Sequence, residues 1–458
     1  MDEMAAKYKP KTYVVTAAQC RDEDADSIVN EEFYASLERL CKERDGELVI
    51  IPMAGRTIHD DVFDDEVRRY LLRRDKNLNE KIKASNNSIR PQQIDPVTGL
   101  GRFTQSDVTT IFASSKQRLK VVANSNESLP KVLMTTGALT HPNYKDDRIG
   151  KIALKDHVYG AVIVEIEGPR TYHQRQITAN KNGEFVDLGT KYTPNGTEPC
   201  GLEALVLGDW HVRDTNPAVR EATFEMIRYL KPKEIIVHDW HNGHSTNPHE
   251  EEKFITRAMY YAQGRASLEQ ELLDDSAELF AIRKVAGDET KIVIVRSNHD
   301  EFIDRYLQKG RYLKEPHNWR IGHELALACY DPTNPKLRIK NPLQEGLARY
   351  GGIPANVIFL ERNQDYKVLG WQLGAHGDRG SNGARASVKG FEDSYGKSIS
   401  GHSHTPEILR NTYRVGTSTH LSLSYNDGAS SWMNTHGLLW GNGKVQLVNI
   451  IDGKWRRE

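Results

Sequence analysis

The sequence predicts an α/β protein of two domains, an N-terminal α/β domain over 1–200 and a second α/β domain over 201–458. Three observations lead there. Short apolar runs bounded by turn residues alternate with stretches of helical period, the pattern of strand–helix–strand units. A chain of 458 residues exceeds what one hydrophobic core usually organises. The segment GTKYTPNGTEPCG at 189–201 is loop-like and separates two halves of different texture.

In the first half, TYVVTAAQ (12–19) reads as a buried strand, NEEFYASLERLCKERD (30–45) as an amphipathic helix and ELVIIPMAG (47–55) as a second strand. DDEVRRYLLRRDKNLNEKIK (64–83) is expected to be a charged surface helix, and a polar, turn-rich segment follows it. Closely spaced strands come next: RLKVVAN, KVLMTTGAL, HVYGAVIVEIEG, RTYHQRQITA and GEFVDLG. ANKNGE between the last two is a hairpin signal of the Asn-Gly type. No catalytic set emerges from this half, and His157 and His173 are expected to be structural.

The second half opens on the strand LEALVLGDWH (202–211), then a helix over 216–233 with Asn216 as its cap and Pro217 in its first turn. EIIVHDWHNG (234–243) is a further strand, 249–287 a long helical stretch, and KIVIVRSNHD a third strand. KVLGWQLGAHGDRG (367–380) and KSISGHSHTPEILR (397–410) are two more strand-to-loop junctions. YRVGTST and HGLLWGNGKVQLVNII supply closing strands.

Composition excludes several classes. Lys+Arg 62 against Asp+Glu 63 gives a net charge of −1, with no global attraction to nucleic acid or anionic membrane, although a local basic groove is compatible with that balance. No window reaches the ~18 to 20 apolar residues of a membrane span, so no membrane partner is expected. MDEMAAKYKPK lacks the apolar core of a signal peptide. Cys20, Cys41, Cys200 and Cys329 are dispersed without a CxxC pair, which argues against a zinc knuckle or a disulfide framework and fits a reducing cytoplasm.

Five strand ends carry ligand-type residues: Asp209 with His211; Asp239; Asn298 with His299 and Asp300; His376; and His402 with His404. Each alone is what an ordinary turn uses. Loops at the ends of sheet strands converge in α/β folds, so five in succession point to one site. Carboxylate, carboxamide and imidazole donors together suit a pair of transition metals, Mn²⁺, Fe or Zn²⁺, better than Mg²⁺ or Ca²⁺. A shared carboxylate can hold two such ions ~3.5 to 4 Å apart.

The ordered motifs GDWH, HDWHN, SNHD, GAHG and GHSH resemble those of the calcineurin-like metallophosphoesterase superfamily. The resemblance covers most of the second half. It implies a four-layer αββα sandwich over 201–458. It also implies that Asp209, His211 and His404 hold one metal, that Asn298, His376 and His402 hold the other, and that Asp239 bridges them. His299 is then the group that contacts the phosphate and protonates the leaving oxygen, with Asp300 orienting its ring. The nucleophile would be a metal-bridging hydroxide. His238 and Ser297 stand where the family has glycine, beside ligands and not on them. His241, His244 and His249 either line an entrance or contact substrate, or belong to a plain polar loop. GDRG at 377–380 matches a fragment of the protein-phosphatase signature in the wrong place, yet Arg379 and Arg385 are candidates for phosphate binding.

The metals do not choose among phosphoesters. DRYLQKGRYLKEPHNWR (304–320) interleaves basic residues with Tyr306, Tyr312 and Trp319, either to grip a nucleic-acid strand or as a solvated helix around packed aromatics. The whole layout, including TAAQ, LVIIPMAG, TTGALTHPNY and HVYGAVIVEI, resembles a group of phage-encoded proteins that includes an early DNase. That resemblance implies a Mn²⁺-dependent DNase acting in the host cytoplasm. The domain 1–200 would serve assembly, as in a homo-oligomer, or substrate access. The alternative is a phosphatase or phosphodiesterase acting on a small phosphoester or nucleotide.

Overall fold

The computed structural model describes residues 11–457 apart from 22–25, 56–61, 88, 91–92, 105–106, 126–128, 363 and 424–425. Most of the N-terminal stretch MDEMAAKYKPK therefore lies outside the described residues. The chain is mixed α/β, with four sheets among the described residues.

A six-stranded sheet runs Val357–Phe359, Lys291–Val295, Glu234–His238, Leu202–Val206, Thr435–Trp440, Val445–Asn449. Its first four strands are parallel and the last two are antiparallel. The parallel strands read as unbroken apolar runs because both faces are covered. Ala204, Val206, Ile236, Val293 and Val295 point into a core shared with other sheets. Leu205, Ile235, Val237, Ile292 and Ile294 pack under helices Pro217–Leu230 and Leu268–Ala286.

The shared core is closed by a ten-stranded sheet through Leu119, Val121, Met134, Ile399, Ile408 and Tyr413. This sheet draws on both halves of the chain. From the second half come Lys367–Val368, Trp371–Gln372, Ser398–Ser400, Thr412–Arg414 and Glu407–Leu409; from the first come Arg118–Val122, Lys131–Thr135, Thr109–Phe112, Ile82–Ser85 and Lys76–Asn77. The join is antiparallel, with Leu119 opposite Ile408. Arg118 fastens it, bonding Asp95 at 3.0 and 3.1 Å, Glu407 at 3.0 Å and the Ile408 carbonyl at 3.0 Å. A division at residue 200 therefore does not separate the sheets.

A four-stranded sheet, Gly46–Met53, Lys11–Gln19, Gly160–Ile166, Tyr172–Thr178, completes the first half. Several expectations are corrected there. The segment 189–201 is not a loop: Thr190–Thr193 and Gly196–Pro199 form a three-stranded sheet with Phe185–Asp187. The turn at ANKNGE exists, with Asn180 Oδ1 accepting from Asn182 and Glu184, but its flanking strands enter different sheets and form no hairpin ladder. The helix expected over 64–83 is only Asp65–Arg68. Asn79 breaks the rest: its side chain accepts from Lys81 and Ile82 and donates to the Gly168 carbonyl, which turns the chain into the strand Ile82–Ser85. The helical stretch 249–287 is two helices, Phe254–Ala262 and Leu268–Ala286, interrupted at Gly264 (φ 68°) and restarted by the Ser267 cap. His157 lies between the Tyr144 hydroxyl and the Thr140 carbonyl, and His173 is buried 3.6 Å from Glu167. Among the described residues no helix is long and apolar enough to cross a membrane.

Buried ions tie the two halves together. Arg175 holds Asp187 with two nitrogens and Glu165 at 2.7 Å; Arg44 reaches Asp187 at 2.6 Å, and Gln446 of the six-stranded sheet donates to Asp187 at 2.8 Å. The two guanidinium groups outweigh the burial of Asp187 and hold its carboxyl below the usual range. Arg175→Ala would leave two buried carboxylates sharing Arg44. Its expected cost is roughly 3 kcal/mol, seen as a lower denaturation midpoint at unchanged slope in urea.

Candidate metal centre

The parallel strands of the six-stranded sheet end together, and their following loops carry the first donors: Asp209 and His211 after Leu202–Val206, Asp239 directly after Glu234–His238, and Asn298 after Lys291–Val295. The second sheet supplies the rest, with His376 beyond Trp371–Gln372 and His402 and His404 beyond Ser398–Ser400. Backbone bonds lock the loops to one another: Trp210 N–H to the His238 carbonyl, His211 N–H to the Asp239 carbonyl, and Gly401 N–H to the His376 carbonyl. His211, Asp239, His402 and His404 all have positive φ, between 44° and 77°. Non-glycine residues rarely hold that conformation, and such strain concentrates at functional sites.

All seven predicted donors converge. Asp209, His211, Asp239 and His404 form one group able to hold a cation; Asp239, His376 and His402 form a second. Asp239 belongs to both. His211 Nε2 lies 3.1 Å from His404 Nε2 and 3.5 Å from Asp239 Oδ2, while His404 Nε2 lies 3.3 Å from Asp209. On the other side His376 Nε2 is 3.3 Å from Asp239, and Asn298 Oδ1 is 3.1 Å from both His376 Nε2 and His402 Nδ1. Metal–donor bonds of about 2.0–2.1 Å place neighbouring donors about 3.0–3.4 Å apart, so these spacings fit a coordination shell. The donor chemistry fits too. Neither oxygen of buried Asp209 has a hydrogen bond of ordinary geometry, and Asp239 Oδ1 has none; a buried carboxylate in that state calls for a cation.

The electrostatics agree. Burial would lower His376, but the carboxylates of Asp239 and Asp209 lift it to about 9. Burial drives His211 down to about 3 and His402 to about 4, each helped by a neighbouring histidine. Burial, with Asp239 beside it, pushes Asp209 up to about 8. Thus protons on His376 and Asp209 supply positive charge that a divalent ion would replace.

Gly401 packs against the Asp209 carboxylate, where a Cβ would overlap Oδ1 and come within 3.1 Å of the His238 side chain. Gly401→Ala is therefore expected to displace Asp209, weaken metal binding at least about 10-fold and cost about 1–3 kcal/mol of stability, checked by metal titration and thermal unfolding.

His299 stands at the rim of the donor set, its ring 4.6 Å from that of His211 and 4.5 Å from that of Phe302. One expectation is corrected here. Asp300 does not orient the His299 ring, because its oxygens accept the backbone N–H groups of Ser297 and His241, both at 3.0 Å. The Asn242 carbonyl accepts from His299 Nδ1 at 2.9 Å instead. A backbone acceptor leaves no mark in sequence. His241 is also more than a loop residue: fully buried, it binds Asp275 at 2.7 Å, while Ser245 binds Glu271 beside it. These acids lie on the helix Leu268–Ala286, and nothing local in the sequence marks them. His244 meets Asp214, Asn242 and Arg265, and His249 lies 6.0 Å from Phe302. Trp432 packs on His404 at 4.2 Å. Within GDRG, Asp378 accepts from Arg362 and Arg379 pairs with Glu301 at 2.8 Å, whereas Arg385 is exposed.

Among curated proteins the chain is similar to Protein A1 of Escherichia phage T5, with 33% identity over 334 residues. The match takes in 70% of this chain and 59% of that protein, so the chain spans under two thirds of its relative. No protein-family model matches the chain. No solved structure matches it either.

Proposed function

We propose that the chain is a divalent-metal-dependent phosphoester hydrolase that cleaves DNA. The observation that carries this reading is the pair of donor groups sharing Asp239, with His299 at their rim. Asp209, His211, His404 and Asp239 would hold one ion; Asp239, Asn298, His376 and His402 would hold the other. Mn²⁺ suits the mixed nitrogen and oxygen donors, as do Fe and Zn²⁺. Such ions, when bound, neutralise a phosphoryl group and acidify a water.

The chain's own residues supply the remaining chemistry. The Asn242 carbonyl fixes a proton on His299 Nδ1, so the ring would act as the imidazolium, passing its second proton from Nε2 to the departing oxygen and ending as the neutral Nδ1–H tautomer. Asp300 holds the loops of Ser297 and His241 together, so the histidine and the donors keep one geometry. Residues 201–458 carry every donor and are read as the catalytic part, and 1–200 supplies five strands of the second sheet that a helix, sheet, sheet and helix layering would need. Similarity to a phage protein supports a phage-encoded chain, and action on DNA in a host cytoplasm is part of the proposal.

The test is a cleavage assay with Mn²⁺ on linear, circular and single-stranded DNA and on a small aryl phosphodiester. DNA cleavage lost in His299→Ala supports the reading. Cleavage of the small ester alone replaces it with a small-molecule phosphodiesterase, and no cleavage of either overturns the hydrolase.

A further inference from the structure

The nine-residue helix Phe254–Ala262 turns its large apolar side chains outward. Phe254 is 84% exposed, Ile255 77% and Met259 53%, and only Tyr260 is buried. Apolar surface left open in this way marks a contact. Beside the helix runs a cleft of about 1090 Å³, lined by Phe254, Arg257, Tyr261, Lys309, Lys314 and Pro316 among others. That lies at the upper end of the ~300–1,000 Å³ of ligand pockets and leaves room for an extended ligand.

The charge in the cleft is uneven. Glu251 is matched by Arg311 at 3.3 Å. Glu315 is engaged by Arg257 at 3.5 Å, the Tyr261 hydroxyl at 2.7 Å and Asn318 at 3.0 Å. Glu252 remains as an exposed acid. Lys309 and Lys314 are exposed and form no ion pair among the described residues. The segment Lys309–Pro316 belongs to the stretch in which basic residues and aromatics interleave. In that stretch Tyr306 is core, and of its three cations that line the cleft Arg311 is buried and paired, so Lys309 and Lys314 are the ones left for a ligand there.

One wall of the cleft is bonded to the loop that follows Asp239. The chain that leaves Asp239 reaches it through Thr246, whose carbonyl accepts from Arg311 at 2.9 Å. Phe302 lies between the rings of His299 and His249, 4.5 and 6.0 Å away.

We infer that this cleft binds single-stranded nucleic acid, with bases stacked on Phe254 and phosphates held by Lys309 and Lys314. Exposed aromatic faces beside unpaired cations are the chemistry of strand binding, and a duplex would hide the bases that Phe254 needs. The inference rests on the phosphodiesterase reading for its purpose, but its test does not.

The test measures fluorescence anisotropy of a labelled oligothymidylate with the full chain in EDTA, where cleavage is suppressed. Phe254→Ala should weaken binding about 10-fold. Lys309→Ala with Lys314→Ala should weaken it similarly at low salt and reduce the slope of log K against log salt by about 1.4. Both variants should hydrolyse a small aryl phosphodiester at the wild-type rate. The inference is overturned if the wild type does not bind the strand or if the variants bind it unchanged. It is equally overturned if they only dissociate an oligomer, which would make the helix a contact between copies of this chain. Failure of the wild type to hydrolyse any phosphodiester would count against the catalytic reading alone.

Discussion

His299→Ala should lower turnover of a phosphodiester by roughly 10²–10⁴, the range for loss of a general acid, while both metals stay bound. The ring lies against His211 and Phe302, outside both donor groups, so its removal deletes no ligand. Its Nδ1–H is committed to the Asn242 carbonyl, and proton transfer through Nε2 matters only when the departing oxygen needs a proton. The defect should therefore depend on the leaving group. With an alkoxide of the DNA sugar the full loss is expected; with p-nitrophenolate, a stable anion, the variant should approach the wild type. Metal content measured beside the two rates completes the test. An equal loss on both esters would remove the general-acid role, and loss of metal would make His299 a ligand or a support for one.

The donors were legible because each is a local signal: an apolar strand followed at once by a turn that contains Asp, Asn or His. Such signals need no knowledge of which strand lies next to which. Partnership is what the sequence concealed. Leu119 and Ile408 are opposite each other across a sheet although 289 positions separate them, and no property of either strand names the other. The loop-like composition of 189–201 likewise concealed the pairing of Tyr192 with Thr197. Helix 64–83 failed for another reason: the charged residues suggested a helical face, but Asn79 offers its own side chain to the backbone and competes with the helix. At the site, the carbonyl of Asn242 does what a carboxylate was expected to do. Backbone groups are present at every position and so carry no sequence signal.

Asp239→Asn should empty both metal positions, because the residue belongs to both donor groups, with affinity falling by roughly 10²-fold or more as a charged ligand shared by two ions becomes neutral. The pH dependence of unfolding gives an independent readout. From about pH 7.5 to 9, His211 and His402 contribute little, since burial lowers them to about 3 and about 4 in the fold and an unfolded histidine, with its ordinary value of about 6.5, is already mostly neutral. Asp209 and His376 behave differently. Both are raised in the fold, to about 8 and about 9, so each contributes stability that is present at low pH and lost as pH rises through those values. Metal-free protein should thus lose stability across this window, and Mn²⁺ should restore it, with a gain in Tm that grows as pH rises. Asp239 is a cause of both raised values. In Asp239→Asn, Asp209 and His376 return toward their ordinary ranges, so the metal-free variant should depend less on pH, and Mn²⁺ should add little to its Tm. His241, raised by Asp275 against its burial, has the same sign but keeps its partner in the variant, so a residual slope is expected in both proteins. Two ions per chain retained by Asp239→Asn, with a wild-type Mn²⁺ gain in Tm, would exclude Asp239 as the shared ligand.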